Sequence, residues 1–379
     1  MEKITTRTGV FTIVSVLFLV LAHLNKLSAQ TCSCSEYIYL NEVTNGGKVH
    51  KYRVNADGSL FEINPSGPWY PNGGGSQLPS PHGLGVDQNG FLYIATTWTS
   101  NGQIRRLDCD GNIKPTSEFV INNAGTFNIA SLDNIIFANT SGSENVTAYS
   151  SCDGSVIGSV CFVDPPCASW QNGNCATEDW GFYYDERTGY FYTAYPQDQN
   201  DNSGNSNRKA AIYRYTIDDF GSGTCVPRFV ESTSTTFGQL PAVGAHAIPL
   251  TNISGITTDG DGNIYYAATG YLEPGRIIKL DPNGNFLAAS VIDNADGNGG
   301  FWGARAIVWS ETSGDLYVST QTTTSTEDCI ARFDTDLNYL GNVVNAVGST
   351  GQGQTGSGSI AKPWHISTEV ALILPVLLE

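Results

Sequence analysis

An internal repeat limits what this chain can fold into more than any other feature. Residues 81–97, PHGLGVDQNGFLYIATT, recur at 253–269 as ISGITTDGDGNIYYAAT, with Asp259 over Asp87, Gly262 over Gly90 and Tyr265 over Tyr93. In both copies two apolar alternating runs flank a short Asp- and Gly-containing turn. Alternation gives each run one buried face, and the turn glycine supplies the positive φ of a tight hairpin. Residues 179–195 and 304–320 join the set with one more turn residue, 127–140 joins with a shortened turn, and 35–43 supplies the second half alone. The aligned aromatics are Tyr39, Tyr93, Phe137, Tyr192, Tyr265 and Tyr317.

Six units result, and several continue visibly into another hairpin, as in 102–120, 275–292 and 329–344. Four antiparallel strands per unit is the size of a propeller blade. The expected fold is therefore all-β, a six-bladed β-propeller of four-stranded antiparallel blades. The first unit lacks its leading strand, and KPWHISTE at 362–369 aligns with SPHGLGVD at 80–87. N- and C-terminal strands should share one blade, which closes the ring and removes exposed sheet edges.

Outside the repeat, 1–29 reads as a signal peptide, with Lys3 and Arg7 before an apolar run at 10–22 and a Leu-Ser-Ala cleavage pattern at 27–29. Residues 30–370 form the propeller, and 371–379 is an apolar tail that either extends the closure or ends a truncated chain. A net charge of −17, from 36 acidic against 19 basic residues, argues against a phosphate-tracking nucleic-acid binder. Nine cysteines in an exported chain point to disulfides, with Cys161, Cys167 and Cys175 stapling one long loop. The odd count leaves at least one unpaired, and connectivity stays open. The mature chain is expected to be secreted or at the cell surface, with no transmembrane segment.

The pattern Pro-His-Gly-apolar-x-apolar-Asp-x-x-Gly-x-apolar-aromatic at 81–93, echoed at 253–265, resembles the NHL-repeat and TolB-like six-bladed propellers, with the related gluconolactonase and streptogramin-lyase groups. The Thr-Cys-Ser-Cys start is similar to exported propellers at the front of bacterial surface proteins. Such blades host lactonases, lyases and binding modules alike. Streptogramin lyases use a His-x-Glu-x-His type cluster, which this sequence lacks.

In a propeller the innermost strands line the channel, and ligands sit where those strands begin. The residues at those starts are His82, Asn128, Asp179 with Trp180, Ser254, Arg305, and Trp364 with His365. They would form a mixed polar and aromatic mouth. The gluconolactonase resemblance implies a channel cation, Ca2+ or another divalent ion, with Asn128 and Asp179 as the available ligands. Calcium takes about six to eight oxygens, so backbone carbonyls and water would supply the rest. The Asp-rich turns 108–112, 259–263 and 281–285 fit hairpins better than calcium loops, since none has the Glu that closes an EF-type loop.

No catalytic residue is assigned. The leading expectation is a secreted binding module for an extracellular glycan, a peptide or a cell-surface protein. Two alternatives stand beside it. One is a metal-assisted lactonase or esterase in which Arg305 or His82 steadies developing charge; the other is a structural spacer of a surface adhesin.

Overall fold

The structure is a computed structural model. It describes residues 35–42, 48–65, 69–70, 83–96, 102–122, 129–139, 146–159, 161–163, 181–195, 211–219, 228–231, 252–269, 276–291, 303–321, 329–344 and 363–369. The signal-peptide segment and the apolar tail lie outside these residues.

The architecture is a propeller arrangement of small sheets in chain order. The first sheet holds β1 (Tyr37–Glu42), β2 (Lys48–Val54) and β3 (Leu60–Glu62); the second holds β4 (Leu84–Val86), β5 (Leu92–Ala95), β6 (Gln103–Leu107) and β7 (Ile121–Asn122). The third holds β8 (Ile129–Leu132), β9 (Ile135–Asn139), β10 (Val146–Ser150) and β11 (Val156–Ser159). After β12 (Cys161–Val163) the fourth is built from β13 (Gly181–Asp185), β14 (Tyr190–Tyr195), β15 (Ala211–Asp219) and β16 (Arg228–Glu231). The fifth holds β17 (Asn252–Thr258), β18 (Ile264–Thr269), β19 (Arg276–Leu280) and β20 (Phe286–Val291). The sixth holds β21 (Gly303–Trp309), β22 (Leu316–Gln321), β23 (Cys329–Phe333) and β24 (Tyr339–Val344). Last, β25 (Pro363–Glu369) returns to pair antiparallel with β1, from Tyr37 opposite Glu369 to Glu42 opposite Pro363. The two ends of the chain thus complete one sheet.

The expectation of uniform four-stranded blades needs correction. Five sheets are four-stranded and antiparallel, but the fourth has five strands, because β12 adds to the outer edge of β16 in parallel. Only residue 160 separates β11 from β12, so the chain crosses at the rim from one sheet to the edge of the next. Cys161 lies in that crossing strand, while Cys167 and Cys175 fall outside the described residues. Cys109 is disulfide-bonded, and Cys152 is an exposed thiol.

The core lies between sheets. Six apolar clusters each join one adjacent pair, from Tyr39 with Leu92 between the first and second sheets to Ile38 with Tyr317 between the first and sixth. Every aligned aromatic is buried, and each packs toward the sheet that follows it.

A polar clasp reinforces these joints. On the second strand of each sheet the aligned aromatic faces, across the ladder, one residue of the third strand. The pairs are Tyr39–Lys51, Tyr93–Arg106, Phe137–Ala148, Tyr192–Arg214, Tyr265–Lys279 and Tyr317–Arg332. Five of the six place a cation beside a tyrosine. The cation then reaches a turn of the next sheet: Lys51 Nζ donates to Cys109 O, Arg106 Nη1 to Ser151 O, Arg214 Nη1 to Pro282 O and Lys279 Nζ to Thr335 O. The Arg332 guanidinium lies against Gly58, where a Cβ would collide with it. Three tyrosine hydroxyls reach the same turns, from Tyr93 to Ser151 O (3.4 Å), Tyr265 to Thr335 O (3.1 Å) and Tyr317 to Gly58 O (2.9 Å). Where the tyrosine becomes Phe137, the opposite residue becomes Ala148. That joint is apolar instead, with Phe137 edge-on to Phe191 at 5.7 Å.

The Asp-rich turns are hairpin turns. Asp259 Oδ1 accepts the amides of Asp261 and Asn263, while Oδ2 accepts Asn263 Nδ2 and the Tyr265 hydroxyl at 2.8 Å. Asp87 Oδ1 accepts the amides of Asn89 and Phe91, and Oδ2 accepts the Tyr93 hydroxyl at 2.9 Å. Burial, then the charge of Asp87, pushes the Tyr93 hydroxyl pKa far up, so it remains a donor. Tyr265 behaves likewise, through burial and its bond to Asp259.

Tyr265→Phe should lower unfolding stability by about 1–2 kcal/mol in a urea titration, the cost of one buried hydrogen-bonding hydroxyl. Its effect should add less than fully to that of Lys279→Met, because both serve Thr335 O. Phe137→Tyr should bring no gain in the same titration, since its joint is packed apolar.

Candidate functional site

Antiparallel connection separates the two ends of each sheet. First-to-second and third-to-fourth strand turns gather at one end. At the other end the inner strands begin, and there every expected site residue falls by sequence.

The inner strands β25, β4, β8, β13, β17 and β21 contact one another in that order, and β21 contacts β25. Their described register shows a shared irregularity. In β17, Ile253 pairs with Ala268 and Gly255 with Ala267, so Ser254 is the extra residue of a bulge. In β21, Ala304 pairs with Thr320 and Ala306 with Ser319, leaving Arg305 extra. In β25, Pro363 pairs with Glu42 and Ile366 with Leu40, so Trp364 and His365 oppose Asn41 alone. Measured from the aligned aromatics Tyr265, Tyr317 and Tyr39, Trp364 occupies the position of Ser254 and Arg305. A bulge releases one residue from the ladder and re-aims it, which is why bulges recur beside binding sites.

Ser254, Arg305 and Trp364 therefore share one register level on three neighbouring inner strands, and His365 follows one residue on, level with Gly255 and Ala306. Close packing holds this level. A Cβ on Gly255 would stand 2.8 Å from both Ala306 Cα and Ile307 N, so β17 and β21 touch backbone to backbone beside the bulges. His82, Asn128, Asp179 and Trp180 lie outside the described residues, and with them the expected metal pair Asn128 and Asp179. Among the described residues, no group of three or more His, Cys, Asp or Glu is placed to hold a metal ion.

The opposite, turn end carries a constellation that sequence reading passed over. Arg187, in the turn 186–189 between β13 and β14, donates through Nη2 to Thr258 O (2.8 Å) and Oγ1 (2.7 Å) of the fifth sheet. Its guanidinium also lies 4.8 Å from the Trp309 ring of the sixth, so one side chain ties three consecutive sheets. Beside it the Glu186 carboxyl, on the exposed turn, has its pKa pushed up, first by partial desolvation and then by the charges of Asp133, Asp185 and Asp87. Glu36, before β1, accepts Ser310 Oγ at 2.7 Å and the Thr312 amide at 2.8 Å, joining the first sheet to the sixth. The extra turn residue in 179–195 was the available signal, but nothing in it names Thr258 or Trp309 as partners.

Gly255→Val should destabilise the fold by about 1–3 kcal/mol by thermal or urea unfolding, because backbone atoms of β21 must move to admit the side chain.

No protein-family model matches the sequence, and no curated protein matches it significantly. Solved structures do resemble it. A chain of the nidogen/laminin complex is similar over 89% of this chain and 99% of its own, with a TM-score of 0.51 at 13% identity. A putative 6-phosphogluconolactonase from Bacteroides uniformis ATCC 8492 is similar over 83% of this chain and 81% of its own, with a TM-score of 0.47 at 15% identity. The WD40 β-propeller domain of Doa1 is similar over 80% of each chain, with a TM-score of 0.42 at 10% identity. At such identities the likeness concerns the fold alone, and that fold is a β-propeller.

Proposed function

We propose that this chain is a secreted, six-bladed propeller of the NHL-repeat and TolB-like kind that acts as a binding module, holding its ligand where the inner strands begin. The observation that carries the reading is the recurrence of one bulge at one level in three neighbouring inner strands, on Ser254, Arg305 and Trp364. A purely structural ring has no need of ladder breaks at matching positions, whereas a mouth built to present side chains does. The closed order of inner-strand contacts supports six blades. The signal-peptide pattern at 1–29 and the disulfide at Cys109 support export to an oxidising compartment. An extracellular glycan, peptide or cell-surface protein is the class of partner that such a compartment offers.

The test is a glycan- and peptide-array screen of the mature chain, followed by calorimetric titration of the best binder with and without a divalent-cation chelator. Trp364→Ala is expected to weaken binding at least tenfold while the melting temperature of the protein holds. Turnover of a lactone or ester that falls on Asp179→Ala or Arg305→Ala would overturn this reading in favour of a hydrolase.

A further inference from the structure

We infer that the outer edges of the fifth, sixth and first sheets form a second binding surface, which takes a basic protein segment whose Lys or Arg residues alternate with apolar side chains. This surface is separate from the inner-strand end and does not depend on the reading above. The three sheets are consecutive, joined by shared apolar clusters. Their last strands, β20, β24 and β3, are edges: among the described residues no strand pairs with the far side of any of them.

The surface is built on an apolar row. In the fifth sheet Leu280 pairs with Phe286 and Lys279 with Ala288, so Leu287 is the extra residue of a bulge in β20. In the sixth, Phe333 pairs with Tyr339 and Arg332 with Gly341, which leaves Leu340 extra in β24. Both leucines stand at one step, two residues past Asn285 and Asn338, and Phe61 takes that step past Ser59 in β3. Leu287 is 51% exposed, Leu340 47% and Phe61 38%. One exposed leucine is ordinary. Two neighbouring edges that each release a leucine from the ladder into water, at the same step, are a presented surface. The row stops at the second sheet, where Lys114 occupies that step.

Charge selects the occupant. The turns that lead into these strands carry Asp57, Asp281, Asp334 and Asp336. Asp336 is 84% exposed, and the Ser59 hydroxyl and amide hold the Asp57 carboxyl below the usual carboxylate range, so it stays charged. The cations that reach these turns are engaged within the protein: Arg214 on Pro282 O, Lys279 on Thr335 O and at 3.9 Å from Asp336, and Arg332 on Asp315. Arg53 lies over the Phe61 ring at 5.0 Å, at the end of the row. The row is therefore apolar and bordered by carboxylates, in a protein of net charge −17. A second copy of this chain would bring the same carboxylates against it, and an anionic lipid surface would be repelled likewise. A segment with cations between apolar side chains matches both properties. Because the bulges interrupt the ladder at this step, contact runs through side chains and not through an added strand.

Calorimetric titration of the intact mature chain with three short peptides, alternating Lys with Leu, Glu with Leu and Lys with Ser, tests the surface. The Lys-Leu peptide should bind about tenfold more tightly than either other peptide, and added salt should weaken it. Leu287→Ser and Leu340→Ser should each weaken it about tenfold, and Asp336→Asn should weaken it and lessen its salt dependence. Ile157→Ser, at the matching bulge of the third sheet and away from the row, should leave it unchanged. Trp364→Ala should also leave it unchanged, which separates this surface from the inner-strand mouth. Circular dichroism and melting temperature check that each variant folds. No binding of the Lys-Leu peptide, or Lys-Ser or Glu-Leu binding as tight, overturns the proposal. So does equal weakening by Ile157→Ser or Trp364→Ala, or none by either leucine variant. Self-association in sedimentation that Leu340→Ser abolishes would assign the row to a second copy, and capture on zwitterionic vesicles lost in that variant would assign it to a lipid surface; either result overturns the basic segment.

Discussion

The structure depends on how one sheet holds the next. Each sheet has only four or five short strands and cannot bury both faces alone, so its stability comes from the apolar clusters it shares with its neighbours. Upon those clusters the chain lays a directional joint: a buried tyrosine, a cation opposite it on the third strand, and a turn carbonyl of the next sheet that accepts from one or both. Hydrophobic contact alone would tolerate rotation of one sheet against another. A charge-assisted bond to a specific carbonyl does not. The sixth sheet closes on the first through the Tyr317 hydroxyl, which donates to Gly58 O, with the Arg332 guanidinium bonded to Asp315 and packed against Gly58.

The exception is instructive. Phe137 and Ala148 change together, and the joint after the third sheet relies on Phe137 against Phe191. There too the chain crosses the rim through β12 and turns the fourth sheet into a five-stranded, partly parallel one. A covalent crossing and an added strand pair thus stand where the polar clasp is missing. The acids and the arginine at the turn end add a second tier of linkage, with Arg187 spanning three sheets.

The bulged level of the inner strands follows from the same construction. Backbone contact between β17 and β21 at Gly255 brings the inner strands together, and the bulges beside it let Ser254, Arg305 and Trp364 leave the ladder without breaking the sheet. Inter-sheet clasps thus gather at one end of the sheets and the inner strands' ladder breaks at the other.

The hairpins at Asp87 and Asp259, the aligned aromatics and the pairing of the chain's two ends were legible in the sequence, because alternation and turn chemistry act between residues a few positions apart. So was the level of Ser254, Arg305 and Trp364, since it lies a constant distance before each repeat's turn. The clasp was not legible. Tyr39 meets a cation 12 residues later and Tyr192 meets one 22 residues later, because the connecting loops differ in length and cross-strand pairing ignores that length. Nor could the sequence show that Cys161 begins a strand on the edge of β16, or that Arg187 reaches Thr258 and Trp309. Local chemistry determined the unit and its repetition. Which residues meet across the joints, and which are left over as bulges, was decided only when the units packed against one another, because those contacts join positions that no short-range pattern connects.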